Sequence, residues 1–409
     1  MAGNRNERVL IVGGGPVGLI AALSLARHHV PVTIFEAHDH LTDDPRAATT
    51  HPATLDLLAP LGLIAPVKEQ GLLAPIFQFW DHVSGSRIAE FDHAVLADET
   101  PHPYVVQCEQ FKLTRIVKAM LEGEPLAEMH FGARVEAADQ DADSVLAEVS
   151  FPDGQRIFRG SYLIGADGGR STVRKSAQIE FPGYTWEERF VVLTTTFDFE
   201  RAAGFSFRSY FADPDEWCNC FKVKGYDGKG LWRTVFPANS TASEAAILDD
   251  ASSQARMQRF YRRAQPYDIV HRNVYTVHQR VAETYRKGRI MLAGDAAHVN
   301  NPIGGMGLNG GIQDAVNLAE KLADVFHGRA SERLLDLYDL QRRTIATQFV
   351  QEQSVANKNR LEARSPQERA RFFGELQATA ADPVRAKQFL LRTSMIASQR
   401  RAAEMRLPG

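Results

Sequence analysis

The sequence predicts an α/β protein: a Rossmann-like dinucleotide-binding domain, interrupted by an inserted β-sheet domain and followed by C-terminal helices. Three observations predict it. The chain opens with an apolar strand at Val9–Val12, a glycine turn Gly13-Gly-Gly15-Pro16-Val-Gly18, a helical run from Leu19 to Leu25, a second strand from Val32 to Phe35, and an acid, Glu36. Residues 185–275 are rich in strand formers, with runs at Phe190–Thr195, Phe205–Phe211, Cys218–Val223 and Leu231–Phe236. Residues 294–311, GDAAHVNNPIGGMGLNGG, follow a strand at Arg289–Ala293 and lead into a helix expected to open at Asn309.

Each element has a physical reason. Strand, glycine turn, helix, strand and acid make a βαβ unit. Its glycines permit a tight turn, close approach to a pyrophosphate and close helix–strand packing, and Glu36 falls where a carboxylate holds ribose hydroxyls. An acid there favours an unphosphorylated ribose, as in FAD or NAD. Val9–Ala26 carries no charge, but its three consecutive glycines and proline fit strand, turn and helix rather than a membrane span or signal. In the inserted region, alternation of apolar and polar residues predicts a sheet with one covered face, a roof over the cofactor. The expected boundaries are 1–75, 106–182 and 276–340 for a discontinuous cofactor domain, with a helix near 110–121. Segments 76–105 and 183–275 form the sheet domain, and 341–409 form charged helices that cover the molecule or a dimer partner.

Residues 294–311 carry the most chemistry. Glycines lack a Cβ, so backbone can press against a flat ligand. The helix start that follows offers free N–H groups and a positive dipole end. A reduced flavin ring, anionic along one edge, suits such a surface. A third signal, LIGADGGRSTVR at 163–174, runs a strand into Asp167-Gly168, where the carboxylate can bond a ribitol or ribose hydroxyl.

With GGGPVG at 13–18, DGGRSTVR at 167–174, and GDAAH and PIGGMGLN within 294–309, the chain resembles the class A flavoprotein monooxygenases. These are the single-component aromatic hydroxylases related to para-hydroxybenzoate hydroxylase. The resemblance covers about residues 8–340 and implies a GR2-type FAD-binding fold. It implies that Gly13, Gly15, Pro16, Gly18 and Glu36 serve the ADP-ribose end of FAD, and that Arg46 contacts the FAD phosphates. By the same pattern Gln107 contacts FAD, Asp167 serves both FAD and the nicotinamide co-substrate, and Gly294 and Asp295 hold the ribityl chain. Pro302, Gly305, Gly307, Leu308 and Asn309 form the loop beneath the isoalloxazine. NADH or NADPH would reduce the flavin, O2 would add at C4a as a hydroperoxide, and a small phenolic or hydroxypyridine-type ring would accept the distal oxygen. Pro302, without an N–H, is expected to leave its carbonyl free near the reacting edge. His51, His93, Tyr210 and His298 are the candidates for moving the phenolic proton, with His51 and Tyr210 preferred, although an exposed, solvated His51 is the simpler expectation. His298, within GDAAH, reads as a residue that orients the loop. Many relatives carry a polar residue where this chain has Met306.

Composition agrees. The chain has 409 residues, 44% hydrophobic and 24% charged, with a net charge of −3. That balance argues against nucleic acid or stable membrane association. Three cysteines, Cys108, Cys218 and Cys220, suit a reducing cytoplasm and complete no metal site. A monomer or homodimer is expected, and the length beyond 341 leaves no room for the thioredoxin-like domain of longer relatives. Alternatives sharing these motifs are a ubiquinone-pathway-type hydroxylase or epoxidase and a non-oxygenating FAD reductase. A flavin halogenase would need a Trp-x-Trp element that is absent. Arg201, Arg208 and Arg233 could each anchor a substrate carboxylate.

Overall fold

The computed structural model describes residues 7–238, 241–362 and 365–408; residues 1–6 of the expected cofactor domain lie outside the described part. Its first layer is a six-stranded sheet. In spatial order the strands are Arg286–Lys287, Ile290–Leu292, Tyr162–Gly165, Val9–Val12, Val32–Phe35 and Ala127–His130. All neighbours are parallel except the edge pair Arg286–Lys287 and Ile290–Leu292. The central strands are apolar except for Thr33 and are buried on both faces, as parallel sheets are. Two helices cover one face, Pro16–Arg27 and Met306–Phe326. They pack closely because Gly311 presents no side chain: a Cβ there would lie 2.6 Å from Val17 Cγ2. An antiparallel meander, Arg134–Gln140, Val145–Phe151 and Gly154–Gly160, joins the cofactor side.

The second large sheet has eight strands. In order they are His298–Val299, Ile269–Val281, Gly183–Thr195, Leu231–Ala238, Cys218–Val223, Arg208–Ala212, Ile76–Asp81 and Ser86–Asp92. Both of its faces are covered, which differs from the one-sided sheet expected from alternation. Val191, Leu193, Phe211, Cys218, Cys220 and Phe236 point to one side, under Met257 and Phe260 of the helix Asp250–Phe260. Phe190, Val192, Tyr210, Ala212 and Val235 point to the other. There they meet Phe372, Leu376, Leu390 and Ile396 of the C-terminal helices. Each fully buried side chain of this size stabilises by about 1.5–3 kcal/mol, so the helices are integral to this side of the sheet. Cys218 and Cys220 share one face and serve packing.

Two segments sit elsewhere than the boundaries predicted. Val105–Gln107 pairs with Thr49–Thr50 and Leu72–Ala74 in a small sheet of its own, not with the large insert. Ile269–Val281 continues past residue 275 to pair with His298–Val299. No described helix is long and apolar enough to cross a membrane.

Candidate active site

A cleft of about 1430 Å³ runs between the two large sheets. At one end the glycine turn forms its wall. Gly13 has φ +112°, and a Cβ there would lie 2.3 Å from the Ala166 carbonyl oxygen, so glycine is required. Gly18 is buried, and a Cβ there would meet the Gly13 carbonyl oxygen at 2.0 Å. Gly18 therefore shapes the turn without lining the cleft. Pro16, the first helical residue, lacks the N–H that would be orphaned at a helix start. Glu36 accepts hydrogen bonds from the Gly14 N–H at 2.7 Å and the His38 N–H at 2.9 Å, which fixes its carboxylate on the cleft wall.

Asp167 lines the cleft, but its carboxylate is engaged locally. It accepts from the Ser171 hydroxyl at 2.5 Å and from the Thr172 and Val173 N–H groups at 2.7 and 3.1 Å. Burial pushes this carboxyl above the usual range, and those hydrogen bonds oppose the shift. Asp295 is exposed on the cleft floor, in a concave setting that strips some water from its charged form. That setting raises its carboxyl, while His298 and Arg46 pull it down. Arg46 lies on the same wall, paired with Asp44 at 2.9 Å.

Beneath this floor is a network no motif announces. Asp314 is fully buried and accepts from the Gly294 N–H at 3.0 Å, His298 Nε2 at 2.8 Å and Arg342 Nε at 2.7 Å. The pairing with His298 and Arg342 holds its carboxyl below the usual range despite burial. Gly294 is thus a buried support for Asp295 and does not line the cleft. His298 orients the loop, as its place in the motif suggested, and Asp314 is the group that fixes it.

The loop at 300–308 forms the floor at the other end. The Gly305 N–H donates to the Pro302 carbonyl at 2.9 Å, so that carbonyl closes a turn instead of standing free. The helix begins at Met306, three residues before the expected Asn309, because Gly305 (φ +70°) caps it in the left-handed region. Gly305, Gly307, Leu308 and Pro302 face the cleft. Asn309 does not: it is buried, its Oδ1 accepts from the His51 N–H at 2.8 Å, and its Nδ2 donates to the Thr49 and Gly305 carbonyls at 2.8 and 2.6 Å. Gln107 is likewise buried behind the wall, accepting from the Thr49 hydroxyl at 2.9 Å. His51 is fully buried, contrary to the solvated reading. Its Nε2 lies 2.8 Å from the Gly304 carbonyl, an acceptor only, so Nε2 carries the proton. Burial and the nearby Arg208 hold its imidazole well below the usual histidine range. It touches the loop backbone and lines neither cavity.

On the sheet side, Arg208 and Tyr210 stand side by side on the strand Arg208–Ala212. Arg208 is 6% exposed and makes no ion pair with any described carboxylate. Its Nε and Nη2 donate to Tyr210 Oη at 3.1 and 2.9 Å. These residues and Gly304 border both the large cleft and a smaller inner cavity walled by Phe77, Phe79, Ile303, Met306, Phe372 and Phe389. Arg233 is committed elsewhere, donating to the backbone carbonyls of Arg46, at 2.7 Å, and Pro45. Arg201 lines neither cavity.

A family model described as an FAD binding domain matches residues 6–353. The chain belongs to this family of flavoprotein aromatic hydroxylases. It is 35% identical over 392 residues to a para-nitrophenol 4-monooxygenase of a Pseudomonas species, covering 94% of each chain. It is 34% identical over 367 residues to 6-hydroxy-3-succinoylpyridine 3-monooxygenase HspB of Pseudomonas putida, covering 88% of this chain and 91% of the relative. Among solved structures, p-nitrophenol 4-monooxygenase PnpA of Pseudomonas putida superposes with a TM-score of 0.91 at 33% identity, covering 98% and 99% of the two chains. The hydroxylase is an FAD-dependent monooxygenase that uses O2 and a reduced nicotinamide co-substrate.

The residues of this hydroxylase fit an FAD. The Gly13–Gly15 turn, the Glu36 carboxylate, the Asp295 carboxylate with no hydrogen-bond partner among the described residues, and Gly305, Gly307 and Leu308 at the helix start all face one continuous cleft. Sequence motifs missed Asp314 and Arg342, which act through others, and the C-terminal Phe372, Phe389 and Asn357 of the inner cavity. An aromatic in a charged helical run carries no local signal that it will line a site.

Proposed function

We propose that this hydroxylase acts on a compact para-substituted phenol of the 4-nitrophenol type, held with its oxygen at Tyr210 and its ring where the cleft meets the inner cavity, beside Arg208 and Gly304; the inner cavity, about 30 Å³, has room for the ring substituent. The observation that carries the reading is Arg208: a buried guanidinium without a carboxylate, directed at Tyr210 Oη on the wall shared by both cavities. Two donors from Arg208 fill the acceptor sites of the Tyr210 hydroxyl, which leaves its hydrogen to donate outward. A phenolate oxygen placed there gains that hydrogen bond and the attraction of the cation. Favouring phenolate enriches the ring in electrons, which suits it to take up an electrophilic oxygen.

Bound FAD supplies the oxygen transfer, reduced by the nicotinamide co-substrate. Glu36 and the Gly13–Gly15 turn would bind its adenosine and pyrophosphate end, Arg46 and Asp295 its middle, and residues 302–308 its ring. N–H groups at the helix start would favour negative charge on the ring. His51 acts through the loop as a positioning residue, and Phe77, Phe79, Phe372 and Phe389 exclude water. The likeness to the para-nitrophenol 4-monooxygenase over nearly the whole of both chains supports the substrate class.

The test is NAD(P)H oxidation, O2 uptake and product quantified for wild type and Tyr210→Phe across phenols and hydroxypyridines. Wild type should couple oxidation to product best with 4-nitrophenol. Tyr210→Phe should lose roughly 100-fold in hydroxylation rate, the low end of acid–base catalysis, while keeping its flavin. Full activity in Tyr210→Phe, or peroxide as the sole product across the panel, would sink the reading.

A further inference from the structure

The inner cavity has a helical wall, and that wall carries one polar group aimed inward. The long C-terminal helix is interrupted at Ala346–Gln351 by a π-helical segment, after which the helix Glu352–Leu361 resumes. Such segments shift the facing of the residues that follow and cluster at functional sites. Here Asn357 and Leu361, one turn apart, face the cavity. Lys358, between them, turns away to Glu188 at 2.7 Å and Glu362 at 2.6 Å. Asn357 Oδ1 accepts from Gln353 Nε2 at 2.8 Å, which sets the orientation of its amide. Asn357 Nδ2 is therefore left facing Gly304: a Cβ built on that glycine would lie 3.1 Å from it. No acceptor among the described residues takes up its N–H groups. The other polar residue on this wall, Thr393, already donates its hydroxyl to the Phe389 carbonyl at 3.1 Å.

We propose that Asn357 is a specificity-determining residue, whose amide N–H groups bind a neutral hydrogen-bond acceptor, such as a nitro or carbonyl oxygen, on the ring substituent remote from Tyr210. The proposal rests on the phenol reading above. Arg208 and Tyr210 hold one oxygen from the sheet wall, and Asn357 reads the substituent from the helical wall. The helical wall contributes Asn357, Leu361, Phe372, Leu376, Phe389 and Thr393, and so brings no cation. A substituent carboxylate would lose its water there, and the one cation lining the cavity, Arg208, is on the sheet wall and already bonded to Tyr210. A nitro or carbonyl oxygen needs only the donor. A methyl group in the same place leaves the donor unpaired.

The experiment measures equilibrium binding of 4-nitrophenol, 4-methylphenol and 4-hydroxybenzoate to the holoenzyme, without nicotinamide, from the change in the flavin absorption spectrum. Wild type should prefer 4-nitrophenol. Asn357→Leu should weaken 4-nitrophenol roughly three- to tenfold, the value of one neutral hydrogen bond, and change 4-methylphenol less than about twofold. Asn357→Asp, nearly the same size, replaces the donor by an acceptor and should weaken 4-nitrophenol at least as much. It serves if the leucine variant does not fold. Equal weakening of both phenols, or unchanged 4-nitrophenol binding in both variants, overturns the assignment and leaves the phenol reading standing. Wild-type enzyme that binds neither phenol overturns both.

Discussion

Two buried histidines beside Arg208 link the site to acid stability. His93 Nδ1 donates to the Pro75 carbonyl, 2.6 Å away, and burial lowers its pKa to about 4, with Arg208 adding to the effect and the Pro75 bond and Asp92 opposing it. His51 is lowered by the same burial and by Arg208 and His93, opposed by its bond to Gly304. Both are neutral when folded and bind a proton near pH 6.5 when unfolded. Their contribution is thus fully present above that pH and is lost as pH falls through the folded value. For His93 the span from 6.5 to about 4 is worth roughly 3 kcal/mol. The Asp213 partner raises the pKa of His82, which contributes in the opposite sense and offsets part of this. The melting temperature of the holoenzyme should fall between pH 7 and pH 5, and His93→Gln should flatten that slope; a slope identical to wild type would remove His93 from the account.

At the scale of elements, the helix Met306–Phe326 organises the site. The sequence suggested a later start, at Asn309, after the run of glycines at 304, 305 and 307; the helix also carries Gly310 and Gly311, residues of poor helix propensity. Tertiary packing overrides that propensity: a Cβ on Gly310 would approach His298 to 3.0 Å, so the residues that weaken the helix alone are those that let it dock. One turn after them, Asp314 ties helix, Gly294 and the helix Arg333–Ile345 together through Arg342. Asp314→Asn would leave Arg342 and His298 without their buried counter-charge. It should cost about 3–5 kcal/mol and reduce bound flavin, measured by denaturant unfolding and by the flavin-to-protein ratio. A variant with wild-type unfolding and full flavin would show the network to be dispensable.

At the scale of the molecule, the helices from Pro366 onward complete the inner cavity. Phe372 and Phe389 wall the inner cavity, and Lys387 and Arg400 pair with Asp98 and Glu99 at 2.5–2.6 Å across the surface. The cleft residues of the cofactor side all lie before residue 309. Removal of residues 365–409 should therefore abolish 4-nitrophenol binding and expose the aromatic sheet face, seen as dye binding, while some flavin is retained. Unimpaired substrate binding would contradict this. Much of the cleft wall is legible in the sequence, because a turn against which a dinucleotide packs needs specific residues at short, fixed spacing: Gly13, Glu36, Asp167, Asp295 and most of the run 302–308 are local in the chain and line that cleft. Gly294, Gln107 and Asn309 were also visible as motif residues, but their position behind the wall was not. The inner cavity is set by packing between distant segments. Arg208 and Tyr210 from one sheet, His51 and Gly304 from two loops, and Asn357, Phe372 and Phe389 from distant helices meet through burial of apolar faces. Burial depends on shape and area rather than on spacing along the chain, so nothing in the order of those residues announces the cavity they build.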